Sequence, residues 1–226
     1  MEAAERYLED VEDASFVRAW RLLMGRHFQR LMRPWNAIHH LEAALVLFPE
    51  DTELEMHAGM AYELAAWIGS EKMVGRAEET FRRVLEREPD HAEAHLRLGH
   101  VLEMAGDPAG AVAALEKSLA LTDAASVRLP ANLLLGDIFE GRGDLGRAIR
   151  FFEDAAAADP YCQPAAVALA HALHRSRNTV RAREVMRAFL ARTSSTSEPD
   201  GWWRYLRGDV RRVDSLLHEL RDEVRP

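Results

Sequence analysis

The chain has 226 residues, of which 48 % are apolar and 29 % charged, a balance that supports a folded core and excludes a disordered or collagen-like chain. Its formal net charge is −8, with 37 acidic against 29 basic residues, so no nucleic-acid partner is expected. The single cysteine, Cys162, excludes an internal disulfide framework and points to a reducing compartment, so a cytoplasmic location is expected. No stretch approaches the roughly 18 apolar residues of a membrane span, and no membrane insertion is expected. Residues 1–10 are acidic and lack the apolar run of a secretory signal. Only Lys72 and Lys117 are lysines, and this preference for arginine points to a GC-rich bacterial genome.

In chain order, residues 1–15 carry Glu2, Glu5, Glu9, Asp10, Glu12 and Asp13 and are expected to form an acidic capping helix. Residues 16–195 then repeat. Four segments share an Ala, a large apolar residue four later, a small or apolar one three further on, and a closing Pro or Asp. They are Ala37/Leu41/Ala44/Pro49, Ala77/Phe81/Val84/Pro89, Ala111/Leu115/Ser118/Asp123 and Ala148/Phe152/Ala155/Pro160. Ala182/Met186/Phe189 is a weaker fifth. Twelve residues before the first Ala stands a small residue in four copies: Gly25, Gly99, Gly136 and Ala170. In copy two Gly59 precedes Ala77 by eighteen, so six residues are inserted, around Trp67 to Met73. Three extra residues lie near Ala124. The copies span about 18–50, 52–90, 92–124, 129–161 and 163–195.

Each copy carries two apolar stripes at the helical period, with a breaker between them. The breakers are Arg33-Pro34, Gly106-Asp107-Pro108, Gly143-Asp144 and Arg177-Asn178, where Asp or Asn can cap the second helix and Pro suits its first turn. A single helical hairpin cannot bury both of its faces, so neighbours must stack into a continuous core. Residues 193–200 read as a loop. Trp202, Trp203, Tyr205 and Leu206 are expected to cover the last hairpin or to form a dimer or partner contact. Residues 209–224 carry Val210, Val213, Leu216, Leu217 and Leu220 on one helical face, so 196–226 read as capping helices or a degenerate sixth repeat.

These motifs resemble the tetratricopeptide repeat family, whose pattern is W-x2-L-G-x2-Y, then A-x3-F-x2-A, then P. The match is seen at Leu98-Gly99-x2-Leu102 with Ala111-x3-Leu115, and at Leu135-Gly136-x2-Phe139 with Ala148-x3-Phe152-x2-Ala155-x4-Pro160. It covers about residues 18–195 and departs from the family at the fourth position, where the Trp is missing. The resemblance implies an all-α, right-handed α-solenoid of about five helical hairpins with N- and C-terminal capping helices. It also implies that the first helix of each repeat lines a concave surface that binds a peptide or a partner helix.

On that register the groove is formed by Glu53, Met56, His57, Met60, Glu63, Glu93, Leu96, Arg97, His100, Glu103, Met104, Leu133, Leu134, Asp137, Glu140 and His171. The expected floor is apolar (Met56, Met60, Leu96, Met104, Leu133, Leu134) and the expected rim acidic (Glu53, Glu63, Glu93, Glu103, Asp137, Glu140). A buried Leu or Met contributes roughly 1.5–3 kcal/mol, while an exposed ion pair contributes about 0–1. The floor would therefore supply affinity, and the rim would select a basic, amphipathic segment. Family members that clamp a C-terminal carboxylate place Lys and Asn where this chain has Leu, Met, Glu and His, so that mode is not expected. Trp67 and Ile68, at the insertion, are a second candidate patch or pack on the neighbouring turn.

Catalytic and cofactor motifs are missing from the sequence: there is no P-loop, GxSxG, HExxH or CxxC. His91 with His95 and His171 with His174 each offer two nitrogens on one helix face, but neither pair has a third ligand at metal spacing. Cys162 opens a helix and has no identifiable base. The expected function is a non-catalytic interaction scaffold without cofactor or metal, with homo-oligomerisation possible. The alternatives are a secretion-type chaperone or subunit of a larger assembly, and a peptide-responsive signalling regulator.

Overall fold

The computed structural model describes residues 14–192; all but the last two residues of the expected cap at 1–15, and the expected caps at 196–226 with Trp202 and Trp203, lie outside them. Ten helices and no strand occur among the described residues. They divide between two compact units, Met1–Asp90 and His91–Pro226. The first unit contains α1 (Ala14–Arg30), α2 (Pro34–Leu47), α3 (Thr52–Trp67) and α4 (Lys72–Arg87). The second contains α5 (Ala92–Met104), α6 (Pro108–Leu121), α7 (Ala125–Gly141), α8 (Leu145–Ala158), α9 (Gln163–Arg175) and α10 (Thr179–Arg192). Successive helices pair as antiparallel hairpins, one per sequence copy, and within each unit first helices pack on first helices.

Every hairpin closes through the same contact. Gly25, Gly59, Gly99 and Gly136 are buried in the first helices. A Cβ on Gly25 would stand 2.6 Å from Leu41 Cγ, one on Gly59 2.6 Å from Phe81 Cε1, and one on Gly99 2.6 Å from Leu115 Cγ. One on Gly136 would collide with the Phe152 ring. Real side chains do not approach so closely, so the large residue of the second helix needs a glycine opposite it. Leu41, Phe81, Leu115 and Phe152 are all fully buried. In the fifth hairpin Ala170, 1 % exposed, takes the glycine's place.

The turns also repeat. The second residue after each first helix is left-handed: Met32 (φ 57°), Gly69 (φ 113°), Gly106 (φ 79°), Gly143 (φ 79°) and Arg177 (φ 65°). The next residue donates its N–H back to the helix: Arg33 to Phe28, Ser70 to Ala65, Asp107 to Leu102, Asp144 to Phe139 and Asn178 to Leu173, at 2.9–3.0 Å. This is the Schellman closure. In three hairpins that same residue then caps the second helix, with Asp107 accepting from Gly110 N, Asp144 from Arg147 N and Asn178 from Arg181 N.

The copy-two insertion does not protrude as a loop. It is absorbed as helix: α3 has 16 residues where α5 and α9 have 13, and α4 has 16 where α6 and α8 have 14. Trp67 is half-buried at the end of α3, and Ile68 is 50 % exposed in the turn. The extra residues near Ala124 likewise lengthen α7 to 17 residues.

Two predictions follow from this architecture. Gly136→Leu forces four carbons into the Phe152 ring and should destabilise the chain by about 1–3 kcal/mol or more, read as a lower Tm in circular dichroism. Arg177→Gly removes a left-handed penalty of about 1–2 kcal/mol against a glycine entropy cost of about 0.5–1, so it should raise stability by about 0.5–1 kcal/mol in urea titration. An unchanged Tm for the first variant, or a lower stability for the second, would contradict these packing and turn assignments.

Candidate partner-binding face

The groove residues expected from the sequence divide between the two units, and each set has its own geometry. In the N-terminal unit α3 is flanked by α1, α2 and α4. Between Leu54 and Ala66 only His57 and Met60 escape burial. Asp51 caps α3 by accepting from Leu54 N at 3.0 Å. Arg18 of α1 binds Asp51 at 2.5 Å and Glu53 at 2.8 Å. The Arg18 hydrogen bond holds the Asp51 carboxyl below the usual carboxylate range. Gln29 donates through Nε2 to the His57 carbonyl at 2.6 Å and lies 3.3 Å through Oε1 from His57 Nδ1. Glu53 and His57 are thus engaged with α1. Glu63 differs from the rim role expected of it: it is fully buried. Met56, 6 % exposed, belongs to the core, while Met60 stays half-buried.

Two further clusters in this unit carry no obvious sequence signal. Glu55, with 4 % of its side chain exposed, is bound by Arg83 Nε at 3.2 Å and by Arg87. Tyr62 donates to Glu42 at 2.8 Å, and the Arg76 guanidinium lies 4.2 Å from the Tyr62 ring centroid. Burial, then Glu42, pushes the Tyr62 phenol well above its usual range. Both clusters tie α3 to its neighbours.

In the C-terminal unit, α7 packs against both α5 and α9. Leu96, Leu133 and Leu134 are 1 %, 5 % and 7 % exposed. The expected apolar floor is therefore mostly core, because these positions pack between adjacent helices. Arg97 and His100 are buried as well, and Arg97 donates twice to Glu93 Oε1 at 3.0 Å. Glu140 Oε1 lies 3.0 Å from His171 Nδ1 and 3.2 Å from Arg175 Nη1, within ion-pair distance of both. Burial raises the Glu140 pKa, but His171 and Arg175 outweigh it and leave the carboxyl below its ordinary value. Of the acids expected on this rim, Glu93 and Glu140 are thus neutralised internally. Glu103 and Asp137 stand exposed, beside a half-buried Met104.

The remaining candidates are structural. Cys162 is buried, and its Sγ accepts the Ala165 N–H at 3.4 Å, capping α9. His91 Nδ1 accepts from Ala94 N at 3.2 Å and caps α5. Among the described residues no three His, Cys, Asp or Glu side chains gather as a metal site requires. None of the described helices is long and apolar enough to cross a membrane.

Ten helices paired through a small-against-large contact define a helical-repeat protein. The tetratricopeptide repeat pattern matches residues 74–126 and 133–198, over half of the chain, and the chain belongs to that family. The MamA double mutant of strain RS-1 is 25 % identical over 82 % of this chain and 99 % of its own, with a TM-score of 0.63. PilF of Pseudomonas aeruginosa is 17 % identical over 94 % and 88 %, with a TM-score of 0.68. PilW, described as a widely conserved type IV pilus biogenesis factor, is 21 % identical over 85 % and 86 %, with a TM-score of 0.66. These likenesses show the helical-repeat fold. No curated protein matches the chain in sequence.

The Glu140 pair predicts a pH dependence. A carboxyl with a lowered folded-state pKa contributes stability above its unfolded pKa of about 4.3 and loses it as pH falls through the folded value. Glu140→Gln should cost about 1–3 kcal/mol at pH 7. The gap to wild type should close in urea titrations at progressively lower pH. A gap that persists at pH 2 would mean that packing, and not charge, holds Glu140.

Proposed function

We propose that this chain is a non-catalytic protein-interaction module of the cytoplasm. In the C-terminal unit the first helices α5, α7 and α9 present its contact face, and the ligand is a basic, amphipathic segment of a partner protein. The observation that carries this reading is the separation of the acids on those helices. Glu93 and Glu140 are held by Arg97, His171 and Arg175, whereas Glu103 stands exposed. Family membership supports the interaction role. On these helices His91 and Cys162 serve as caps and Glu93 and Glu140 are tied up in ion pairs, which supports a role without catalysis.

The division of labour is set by magnitudes. Exposed ion pairs are worth about 0–1 kcal/mol, so Glu103 and Asp137 steer and select a cationic segment more than they bind it. With Leu96, Leu133 and Leu134 committed to the core, the apolar contribution falls to the half-buried Met104, whose flexible thioether adapts to different side chains. Affinity is correspondingly modest. In the N-terminal unit Met60 and Glu53 occupy the corresponding face of α3.

The test is a binding titration with a synthetic peptide carrying Leu and Arg at helical spacing. Glu103→Lys with Asp137→Lys should weaken its binding about tenfold or more. Glu103 is exposed, so its reversal alone should shift stability by no more than about 0.5 kcal/mol. Equal affinity for wild type and variant, with equal melting curves, would move the interface away from this face.

A further inference from the structure

The first hairpin, α1 with α2, differs from the rest of its unit in charge and in exposed apolar surface. Residues 14–48 contain five arginines and one acid, Glu42, whereas residues 49–90 contain eleven acids and five basic residues. Six of the ten large apolar side chains exposed among the described residues also sit on this hairpin. The two features coincide where α1 ends and α2 begins. Leu23, Leu31 and Trp35 are 61 %, 49 % and 54 % exposed. Arg26, Arg30 and Arg33 are exposed beside them, and no acid of the described residues engages them. Arg18 and Arg21, by contrast, are occupied by Asp51 with Glu53 and by His40. All six patch residues fall within thirteen positions of the chain, and Leu23, Arg26 and Arg30 share one face of α1 at helical spacing.

We propose that this patch is a second docking surface, separate from the α5–α7–α9 face, and that it binds an acidic segment of a partner protein with apolar anchors one helical turn apart. Trp and Arg are the residue types that dominate interface energetics, and three arginines that no acid of the described residues engages select for carboxylates. A short acidic segment fits better than an extended polyanion. The acids that follow in the same unit and stay exposed, Glu50, Glu71, Glu86 and Glu88 among them, repel a nucleic-acid strand or an anionic membrane extending past the patch. The two surfaces take ligands of opposite charge, so the chain can bridge two proteins.

The experiment is fluorescence-anisotropy titration of the full chain with a labelled peptide carrying Glu and Leu at helical spacing. A Lys/Leu peptide, a single-stranded RNA and phosphatidylserine vesicles are run in parallel. The Glu/Leu peptide should bind, with affinity falling as salt rises. The triple variant R26E/R30E/R33E should lose that binding at least tenfold while keeping the wild-type melting curve, and Trp35→Ala should weaken it about tenfold. The patch is disproved by no binding of the acidic peptide, by equal binding to the charge-reversed variant, or by RNA or vesicles binding through these arginines in its place. The Lys/Leu peptide reports on the other face, so the two readings fail separately.

Discussion

The structure depends on one contact, a small residue on each first helix, glycine in four of the five, against a large apolar residue on the second. Helix axes pack about 8–10 Å apart when ordinary side chains separate them. Removing a Cβ lets the partner ring or isobutyl group reach the backbone of the first helix. The hairpins at Gly25, Gly59, Gly99 and Gly136 therefore close alike, although their sequences share little else. Stacking requires that likeness, because each hairpin presents the surface its neighbour must fit. Gly106 and Gly143 serve the same end at the turns, where a left-handed residue redirects the chain into its second helix.

Architecture was legible in the sequence because it is written in residue size and spacing. The distance from Gly25, Gly99 and Gly136 to the following Ala located three hairpins, and the turn signals located the caps at Asp107 and Asp144. The copy-two insertion was legible as a length but not as a shape. Six residues can enter as a loop or as helix, and the sequence between Trp67 and Lys72 has only Gly69 to break it. Helix formers on both sides let α3 and α4 grow toward each other.

The face was less legible, since exposure depends on neighbours that a repeat register does not count. Glu63 and Glu103 occupy the same position in copies two and three. Glu63 is fully buried within the helices around α3, and Glu103 is exposed. The apolar positions read as a floor behave likewise: Leu96 and Leu133 face a groove on a helical wheel and a packed core in the fold. The missing Trp of the fourth position has a related consequence. Arg21, Glu55 and Asn132 stand there, and each polar group needs a partner once enclosed. Arg21 meets His40, Glu55 meets Arg83 and Arg87, and Asn132 donates to the Arg128 carbonyl. These three copies have solved this locally, with residues that no repeat pattern specifies.

Pairing within the fold also decides what is left for recognition. An acid already held by an arginine one helix away has lost most of its attraction for a third party, because a partner would have to break that pair or share it. Counting charges along the chain therefore overstates both the acidity of the α5–α7–α9 face and the number of its contact residues. The informative quantity is what remains after Arg18, Arg97, His171 and Arg175 have been matched to Asp51, Glu53, Glu93 and Glu140. On the two proposed faces that remainder is of two signs: Glu103 on one unit, Arg26, Arg30 and Arg33 on the other. Stacking has used the apolar stripes and most of the ion pairs, and specificity must come from these few side chains and the apolar groups beside them.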